Sequence, residues 1–419
     1  MEIETGESWD LSSAYSAPDS PEVDADCDLA SELLAEIEAR NDQLTVSIDQ
    51  QASVAVEHAK ALFGLLERVE MLLDNLQTYS QCLLSVDSQH SGAQGLGGRM
   101  QGLRKRLETA SEPLAQFFQR AQDADIEAFL TDTATSPARF MVEHRRKLRH
   151  ETLSLEEETL VAGLAQDGLH AWGRLYDQLS GSIRCDVLVD NESRSMGVAQ
   201  AAGLLQDAED RQRKAAWHGI NSAWEEHAET CSAAINAIAG WRLEMAQKRS
   251  AQRPVHYLDA PVHMNRLSRA TLDTVMGVAE GAIPLARRAA KAMARVYGKD
   301  ALGPWDVRSP APALGGSSRA IPYREAVSLI EAAYGEVSSE MGDFVRMMAD
   351  NAWIEGTVGE RKRPGAYCTR FAKSREPRVY MTYSGGGSDV ITLAHELGHA
   401  YHGWVMRELP PSHSSYGMS

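Results

Sequence analysis

Cysteines are few in this sequence, and long apolar runs are missing. The 419 residues contain five scattered cysteines, an odd number without a C-x-x-C pair, which argues against a disulfide framework and against a cysteine zinc cluster. No apolar run approaches the roughly 18 residues of a membrane span, and Glu2 and Glu4 stand where a secretory signal would carry basic residues. We therefore expect reduced thiols, no membrane partner and a soluble protein of the cytoplasm.

Basic residues are also fewer than acidic ones. Lysine and arginine together number 42, against 59 aspartates and glutamates, so the formal net charge is -17. A chain this acidic is repelled by nucleic acid phosphates and by anionic membrane surfaces, and we expect neither as a partner. Glycine patterns typical of dinucleotide and phosphate loops are absent, as is the G-x-S-x-G sequence of serine hydrolases. The sequence therefore gives no sign of nucleotide binding or of a serine nucleophile.

The most informative stretch is residues 391–403, I-T-L-A-H-E-L-G-H-A-Y-H-G, which contains an H-E-x-x-H motif. His395 and His399 are four residues apart, so on a helix both imidazoles lie on one face and can take adjacent corners of a tetrahedral zinc site. Glu396 lies between them, where its carboxylate can remove a proton from a water molecule held at that site. The motif predicts a metallopeptidase with one Zn²⁺ per chain, His395 and His399 as ligands and Glu396 as the catalytic base.

The residues around the motif favour a strand, a turn and a helix in that order. Residues 379–384 read as a short strand, three glycines follow as a turn, and Ser388 and Asp389 are a plausible N-cap pair for the motif helix. Residues 366–371 are a candidate partner strand. A strand edge beside a zinc helix can hold an extended peptide through main-chain hydrogen bonds. This arrangement is what a peptidase requires.

Three other residues are candidates for the site. His402 shares the helix face of the histidine pair and is a candidate substrate contact. Tyr383 is a second candidate for substrate binding from the neighbouring strand, although alternate strand residues point away from the site. Cys368 is close to the motif in sequence, so a metal role is conceivable, but zinc peptidase chemistry does not require a thiolate.

Several stretches together resemble the oligoendopeptidase F branch of the thimet oligopeptidase family of zinc metallopeptidases. They are K-R-P-G-A-Y-C from Lys362, the H-E-L-G-H helix, W-D-L-S from Trp9, D-S-P-E from Asp19, and residues 242–249. The resemblance implies a mainly α, two-lobed helical metallopeptidase with a small β-sheet beside the zinc helix and a deep channel. It also implies that the partners are short peptide substrates rather than folded proteins.

The same resemblance implies that the zinc site is incomplete in this sequence. Family members take a third ligand, a glutamate, from a later helix, and their oxyanion-stabilising tyrosine and histidine lie further downstream. We therefore expect these residues, and the C-terminal part of the catalytic domain, to lie beyond Ser419. Glu408 is about 13 Å beyond His399 along a continuing helix, too far to share the metal. His413 would have to fold back past two prolines.

Two alternative functions stay open at this stage. The chain is also compatible with a catalytically incomplete fragment, or a non-catalytic protein that binds peptides in the same groove. A helical metallocarboxypeptidase would carry the same H-E-x-G-H core. Zinc content and the cleavage of a C-terminally blocked peptide distinguish these alternatives from the endopeptidase.

The rest of the sequence predicts helices in two domains. Apolar residues recur every three or four positions between residues 28 and 89, which is typical of stacked helices, and residues 92–98 (G-A-Q-G-L-G-G) are predicted to interrupt them as a turn. Ser268 is predicted to cap a helix that runs to Tyr297. We place the boundary at residue 190, between an N-terminal helical domain (1–190) and a catalytic domain (191–419), and expect a flexible hinge at residues 310–318.

Overall fold

The computed structural model of this protein describes residues 4–50, 52–190, 192–309 and 320–413. Helices dominate these ranges, which confirms the predicted mainly α fold. None of the helices described there is both long enough and apolar enough to cross a membrane. The predicted hinge at residues 310–318 lies outside the described residues.

The first half of the chain ends in a hairpin. In chain order its elements are α1 (Pro21–Gln50), α2 (Ala52–Val86), α3 (Ser91–Arg120), α4 (Asp123–Leu130), α5 (Arg139–Arg146), α6 (Leu155–Ala165), α7 (Ala171–Ser182), β1 (Arg184–Val189) and β2 (Glu192–Gly197). The two strands pair antiparallel, with Arg184 opposite Gly197. The domain boundary at residue 190 falls at the turn of this hairpin and stays a prediction.

The second half of the chain carries the motif helix at its end. Its elements are α8 (Val198–Gly203), α9 (Asp210–Glu225), α10 (Ala228–Lys248), α11 (Asp259–Met264), α12 (Arg269–Val296), α13 (Tyr323–Val337), α14 (Ser339–Asp350), β3 (Ile354–Glu355), β4 (Tyr367–Arg370), β5 (Pro377–Tyr380) and α15 (Gly387–Val405). The predicted N-cap of α12 is confirmed, because the Ser268 side chain accepts a hydrogen bond from the Thr271 N–H.

The long helices α1, α2 and α3 pack around one hydrophobic core. Leu34 and Ile37 of α1 and Leu73 and Leu76 of α2 are fully buried in it. These residues recur at three- and four-residue spacing, so each helix turns one apolar face inward, as the sequence predicts. Tyr380 of β5 belongs to the same cluster. The core of the first helices therefore reaches the sheet that supports α15.

The predicted turn at residues 92–98 is wrong, because α3 begins at Ser91 and continues through all of them. An interior glycine costs a helix about 1 kcal/mol relative to alanine. Packing offsets that cost here: Leu96 and Met100 are buried against the neighbouring helices. The His90 Nδ1 also accepts a hydrogen bond from the Ala93 N–H at 3.2 Å and caps the helix start.

A three-stranded sheet in the order β3-β5-β4 supports α15. The central strand β5 runs parallel to β3 and antiparallel to β4, so that Val379 lies opposite both Ile354 and Cys368. The predicted strand at residues 366–371 is confirmed in β4. The predicted strand at residues 379–384 is shifted, because β5 begins two residues earlier and ends at Tyr380, so residues 381–384 are outside it. Helix α15 packs against β4 and β5, so the edge strand β4 lies directly beside the motif.

The N-terminal segment joins this sheet from the side of β3. The Gly6 N–H donates to the Gly356 oxygen at 3.1 Å, and the Gly356 N–H donates to the Glu7 oxygen at 2.9 Å. A Cβ on Gly6 would lie 2.3 Å from the Gly356 Cα. Only glycine permits this backbone contact, so the start of the chain is fixed against the strand that precedes the site.

A buried ion pair lies at the same junction. The side chains of Lys362 and Glu355 are 1% and 0% exposed, and the Lys362 Nζ donates to Glu355 Oε1 at 2.8 Å and to the Met381 oxygen at 2.9 Å. The second Glu355 oxygen accepts from the Trp9 N–H at 3.2 Å. Burial lowers the pKa of Lys362, while the carboxylate of Glu355 opposes that shift. The pair connects the N-terminal segment, β3 and the end of β5.

Candidate active site

A carboxylate fixes the first turn of α15. The Asp389 Oδ2 accepts hydrogen bonds from the Ser384 N–H at 2.8 Å and from the Gly386 N–H at 3.2 Å. The helix therefore starts before Ser388, and Asp389 acts from the third helical position instead of the predicted N-cap. The preceding turn requires glycine, since Gly385 has a φ of 90°.

The inner face of α15 is anchored in a hydrophobic cluster. Leu393, Leu397 and Ala400 are fully buried in it, together with Val379 of β5 and Phe344 of α14. Three-, four- and seven-residue spacing places these three helix residues on one side. The opposite side, which carries the histidines, is consequently held at a fixed orientation above the sheet.

A tyrosine from α13 packs against the middle of α15. The Tyr334 hydroxyl donates to the Ala394 oxygen at 2.6 Å, and a Cβ on Gly398 would lie 3.2 Å from that hydroxyl. Gly398 therefore permits the close approach that its place inside the motif suggests. The contact fixes the helix backbone one residue before His395.

The two imidazoles converge on one point. The Nε2 atoms of His395 and His399 are 3.1 Å apart and the rings are perpendicular. At the usual Zn–N distance, two ligands of a tetrahedral zinc ion have nitrogens about 3.3 Å apart. This pair therefore fits adjacent corners of a zinc site. His395 is exposed and His399 is half-buried.

A third metal ligand is not found in the part of the chain that the structure describes, where no three His, Cys, Asp or Glu side chains cluster closely enough to hold a metal ion. Glu408 is exposed and lies 3.6 Å from the Arg407 Nε. His413 is exposed in a short helical turn after Pro410. As expected from the sequence, neither residue joins the histidine pair.

Glu396 is held at the inner edge of the histidine pair. Glu396 is 8% exposed, and the backbone N–H of Cys368 on β4 lies close enough to its carboxylate to stabilise the charged form. Burial raises the pKa of Glu396, and the two neighbouring imidazoles and that N–H partly oppose the shift. A carboxylate with a raised pKa is a stronger base than an exposed one.

A cavity of about 820 Å³ opens beside His399. Helix α2, strand β4 and helix α15 form its walls, with Glu67, Glu70 and Asp74 on the α2 side and Arg370 on β4. Burial and the nearby Asp74 carboxylate raise the pKa of Glu70. The cavity thus offers groups of both charge signs and one strand edge to a molecule near the histidines.

The other predicted site residues have different surroundings. His402 is exposed on α15, on the face of the histidine pair. Tyr383 is fully buried, and its hydroxyl donates to the Ile321 oxygen at 2.8 Å, so the structure places it in the core and away from the cavity. Burial raises the pKa of the Cys368 thiol to about 12, which disfavours the thiolate that a metal would need.

Sequence reasoning missed the residues that support the site from outside the motif. Tyr334 carries no recognisable signal, because a tyrosine on a helix face is ordinarily a packing residue. Lys362 lies in the K-R-P-G-A-Y-C stretch, where a run of basic residues suggests a solvated segment. Its burial depends on the ion pair with Glu355 of β3, and the sequence does not show that these two side chains meet in the core.

Comparisons with known proteins place the chain in a family. A family model described as Peptidase family M3 matches residues 204–417, and one described as Oligopeptidase F matches residues 118–184. Oligopeptidase PepF of Bacillus subtilis is 20% identical over 85% of this chain and 53% of its own length. Group B oligopeptidase PepB of Streptococcus agalactiae is 26% identical over 62% of this chain and 42% of its own length.

Solved structures show the same fold. The crystal structure of oligoendopeptidase-F from Enterococcus faecium superposes with a TM-score of 0.59 at 19% identity, over 78% of this chain and 61% of that one. The chain thus spans about half the length of the curated relatives it matches.

Proposed function

Because this chain belongs to peptidase family M3, in its oligoendopeptidase F branch, we propose that it hydrolyses short peptides as a zinc-dependent endopeptidase. The observation that carries the proposal is the convergence of His395 Nε2 and His399 Nε2, 3.1 Å apart, beside the buried Glu396. His399 borders a cavity large enough for part of a peptide.

His395 and His399 would hold the metal. A bound Zn²⁺ supplies Lewis acidity, which lowers the pKa of water toward neutrality and polarises a carbonyl. The fit rests on the spacing and convergence of the two Nε2 atoms. The buried inner face of α15 and the Tyr334 hydrogen bond fix the helix backbone. Both imidazole rings are therefore held by a helix that does not have to move when the metal binds.

Glu396 would transfer the proton. Its carboxylate can accept a proton from the attacking water and later return it to the departing amine. The nearby Cys368 N–H stabilises the charged carboxylate, which would favour return of the proton to the departing amine. Its low exposure also keeps bulk water from competing for the proton.

The substrate would lie along β4. This strand is at the edge of the sheet beside α15, and Cys368, Thr369 and Arg370 line the cavity. An extended peptide can pair with such an edge through its main chain, which explains tolerance of many sequences. The opposing carboxylates and guanidinium groups would contact the charged ends or side chains of the peptide.

Peptide binding without turnover is the second candidate. The described residues would contribute two protein ligands, whereas catalytic zinc sites ordinarily have three. A chain that binds zinc weakly would keep the cavity and the strand edge but would not turn over peptide.

The test combines zinc content with cleavage. Wild type, Glu396→Gln, His395→Ala and the exposed control Glu408→Gln are dialysed, their zinc is measured, and each is given a short internally quenched peptide with an amidated C terminus. We expect Glu396→Gln to keep zinc and to lose about 10²–10⁴-fold in rate, His395→Ala to lose both, and Glu408→Gln to behave as wild type.

The other possible outcomes distinguish between the candidate functions. Turnover by Glu396→Gln at the wild-type rate removes the assigned base. Absence of zinc and of cleavage, with the peptide still bound, supports the second candidate. Cleavage only of a peptide with a free C-terminal carboxylate would assign a carboxypeptidase.

A further inference from the structure

Two arginines line the cavity at the end of β4. Arg370 is the last residue of that strand, Arg375 lies in the turn between β4 and β5, and both are half-buried. Strand pairing sets Arg370 opposite Pro377, so the turn brings Arg375 back toward Arg370. Burial lowers the pKa of Arg375, and the like charge of Arg370 lowers it further. Two neighbouring positive charges therefore face the cavity at this end.

Arg375 occupies a backbone position that does not suit an arginine. Its φ is 63°, which lies in the left-handed region that glycine adopts freely and that strains a residue with a Cβ. Its guanidinium is also partly withdrawn from water and lies near a second positive charge. A residue held in such a conformation is often found where a protein contacts a ligand.

The other basic residues of this hairpin have a different task. The Lys373 Nζ donates to both carboxylate oxygens of Asp26, at 3.0 and 2.8 Å. Arg378 is fully buried, and its Nε donates to the Asp10 oxygen at 3.0 Å. These two residues connect the hairpin to the start of the chain. The hairpin thus uses one pair of basic residues for packing and turns the other pair toward the cavity.

Three further charged residues lie on the walls formed by α2 and α5. Asp74 forms an ion pair with Arg104. Glu70 lies close enough to Arg145 for the guanidinium to favour its charged form, although burial raises the pKa of Glu70. These carboxylates therefore have cationic neighbours on their own side of the cavity.

The two remaining charged groups of the lining complete the picture. The Arg266 guanidinium lies 4.9 Å from the centre of the Phe140 ring. Glu67 is the cavity carboxylate that acts on Arg375, and burial raises the pKa of Glu67 while Arg375 opposes the shift. Two guanidiniums thus share the influence of one half-buried carboxylate, so the β4 end of the cavity favours an anion.

The distance from the proposed base fixes where such an anion would lie on a substrate. Cys368 is the β4 residue beside Glu396, and both Glu396 and Arg370 act on the Cys368 thiol. Arg370 is two residues further along the strand, on the same side and about 7 Å away. A peptide paired with β4 advances at the same spacing. Its group beside Arg370 would therefore be about two residues from the bond that faces Glu396.

The geometry points to Arg370 and Arg375 as the residues that determine substrate specificity, by binding a carboxylate of the peptide about two residues from the cleaved bond. This inference rests on the proposed function. The carboxylate is either an Asp or Glu side chain or the C terminus of the peptide. Guanidinium groups bind carboxylates through paired, charge-assisted hydrogen bonds. The net charge of -17 repels acidic peptides in general, so the selectivity is local to this pair.

The test is calorimetric titration of the full chain carrying Glu396→Gln, which binds peptide without consuming it. The probes are short acetylated and amidated peptides without other charges, with one Glu at each position in turn, and matched peptides with Gln. A third set has a free C-terminal carboxylate. We expect Glu at one position, or the free C terminus, to lower the dissociation constant about tenfold relative to the neutral peptide. Which set shows the effect identifies the source of the carboxylate.

Three further variants assign the preference to the arginines. Arg375→Gly removes the charge and suits the left-handed backbone, so it should fold at least as stably and lose the preference. Arg370→Gln should also lose it. Lys373→Gln removes a positive charge of the same hairpin that binds Asp26, and should keep it. The readout is the ratio of dissociation constants for the neutral and acidic peptides, from which a general weakening of binding cancels.

The inference is overturned if no peptide binds, if the neutral and acidic peptides bind equally, or if the ratio survives both Arg375→Gly and Arg370→Gln. Tighter binding of a peptide with Lys in place of Glu would also overturn it, because the carboxylates of α2 would then select the substrate. Cleavage by wild type without a preference for acidic peptides would retain the proposed function alone. A preference in binding without any cleavage by wild type would retain the carboxylate site and remove the peptidase.

Discussion

Helices α15 and α12 carry similar apolar stripes in opposite surroundings. Both helices were predicted from the sequence, α15 from the H-E-x-x-H motif and the turn before it and α12 from its N-cap Ser268. The stripe of α15, with Leu393, Leu397 and Ala400, is fully buried, whereas that of α12, with Met276 and Ile283, is exposed. Periodicity therefore predicts a helix and its apolar face, but the neighbours decide whether that face anchors the helix or stays available to a partner.

The ion pairs near the two helices also differ in burial. The sheet beneath α15 contains the buried pair of Lys362 and Glu355, whereas α12 carries the exposed pair of Arg269 and Asp273, joined at 3.0 Å with side chains 45% and 62% exposed. A buried charge that loses its partner is strongly destabilising, and an exposed one is screened by water. The stability lost when each ion pair is broken therefore reports how strongly water screens charges at the two places.

Removal of one buried charge should have the largest effect. We expect Lys362→Met to lower the free energy of unfolding by about 3–5 kcal/mol, because Glu355 is left charged and buried. Arg269→Met on α12 should cost no more than about 0.5 kcal/mol. Urea unfolding followed by circular dichroism measures both.

A second variant verifies the cause. Lys362→Met with Glu355→Gln removes the unpaired charge and should be more stable than Lys362→Met alone. The contrast between the two environments is wrong if the double variant loses as much free energy of unfolding as the two single variants together. It is also wrong if Arg269→Met loses as much as Lys362→Met.

Truncation of apolar residues sharpens the same comparison. Leu397→Ala should cost about 2–5 kcal/mol, since it leaves a cavity in the packed cluster beneath the site. Val278→Ala on α12 should change stability by less than about 0.5 kcal/mol, because Val278 is 68% exposed. The same unfolding measurement at low protein concentration compares them. A large loss for Val278→Ala would show that α12 packs against this chain in solution.

The sequence predicted the placement of the histidine pair better than the contacts that support it. The H-E-x-x-H spacing places His395 and His399 on one helical face because helix geometry is local, and the structure brings their Nε2 atoms together. The Tyr334 contact joins residues 60 positions apart, and the burial of Lys362 depends on how β3 and the end of β5 fold around it, so a single sequence gives no signal for either. Tyr383 was predicted wrongly as a substrate contact from a strand, because β5 ends at Tyr380 and Tyr383 is buried in the core.

The errors in the fold have the same origin. Residues 92–98 are rich in glycine, and local propensity predicts a turn, but burial of Leu96 and Met100 against α1 and α2 makes them helical. The exposure of α12 was equally invisible, since its pattern is that of a packed helix. The division at residue 190 and the roles of the site residues stay predictions.

Removal of the N-cap of α12 should have the smallest effect on stability. The size of that effect depends on whether the helix is stabilised by its own hydrogen bonds or by packing against the rest of the chain. The Ser268 side chain accepts from the Thr271 N–H at 3.0 Å, and loss of an N-cap costs about 1 kcal/mol. Because α12 is little packed, Ser268→Ala should speed amide hydrogen exchange in its first turns about fivefold, with little change in global unfolding. The matched variant Ser154→Ala removes a cap from α6, which packs against α3, so its cost should appear in global unfolding. Equal global losses for both variants would mean that α12 unfolds with the core, and its stability would then come from packing within this chain.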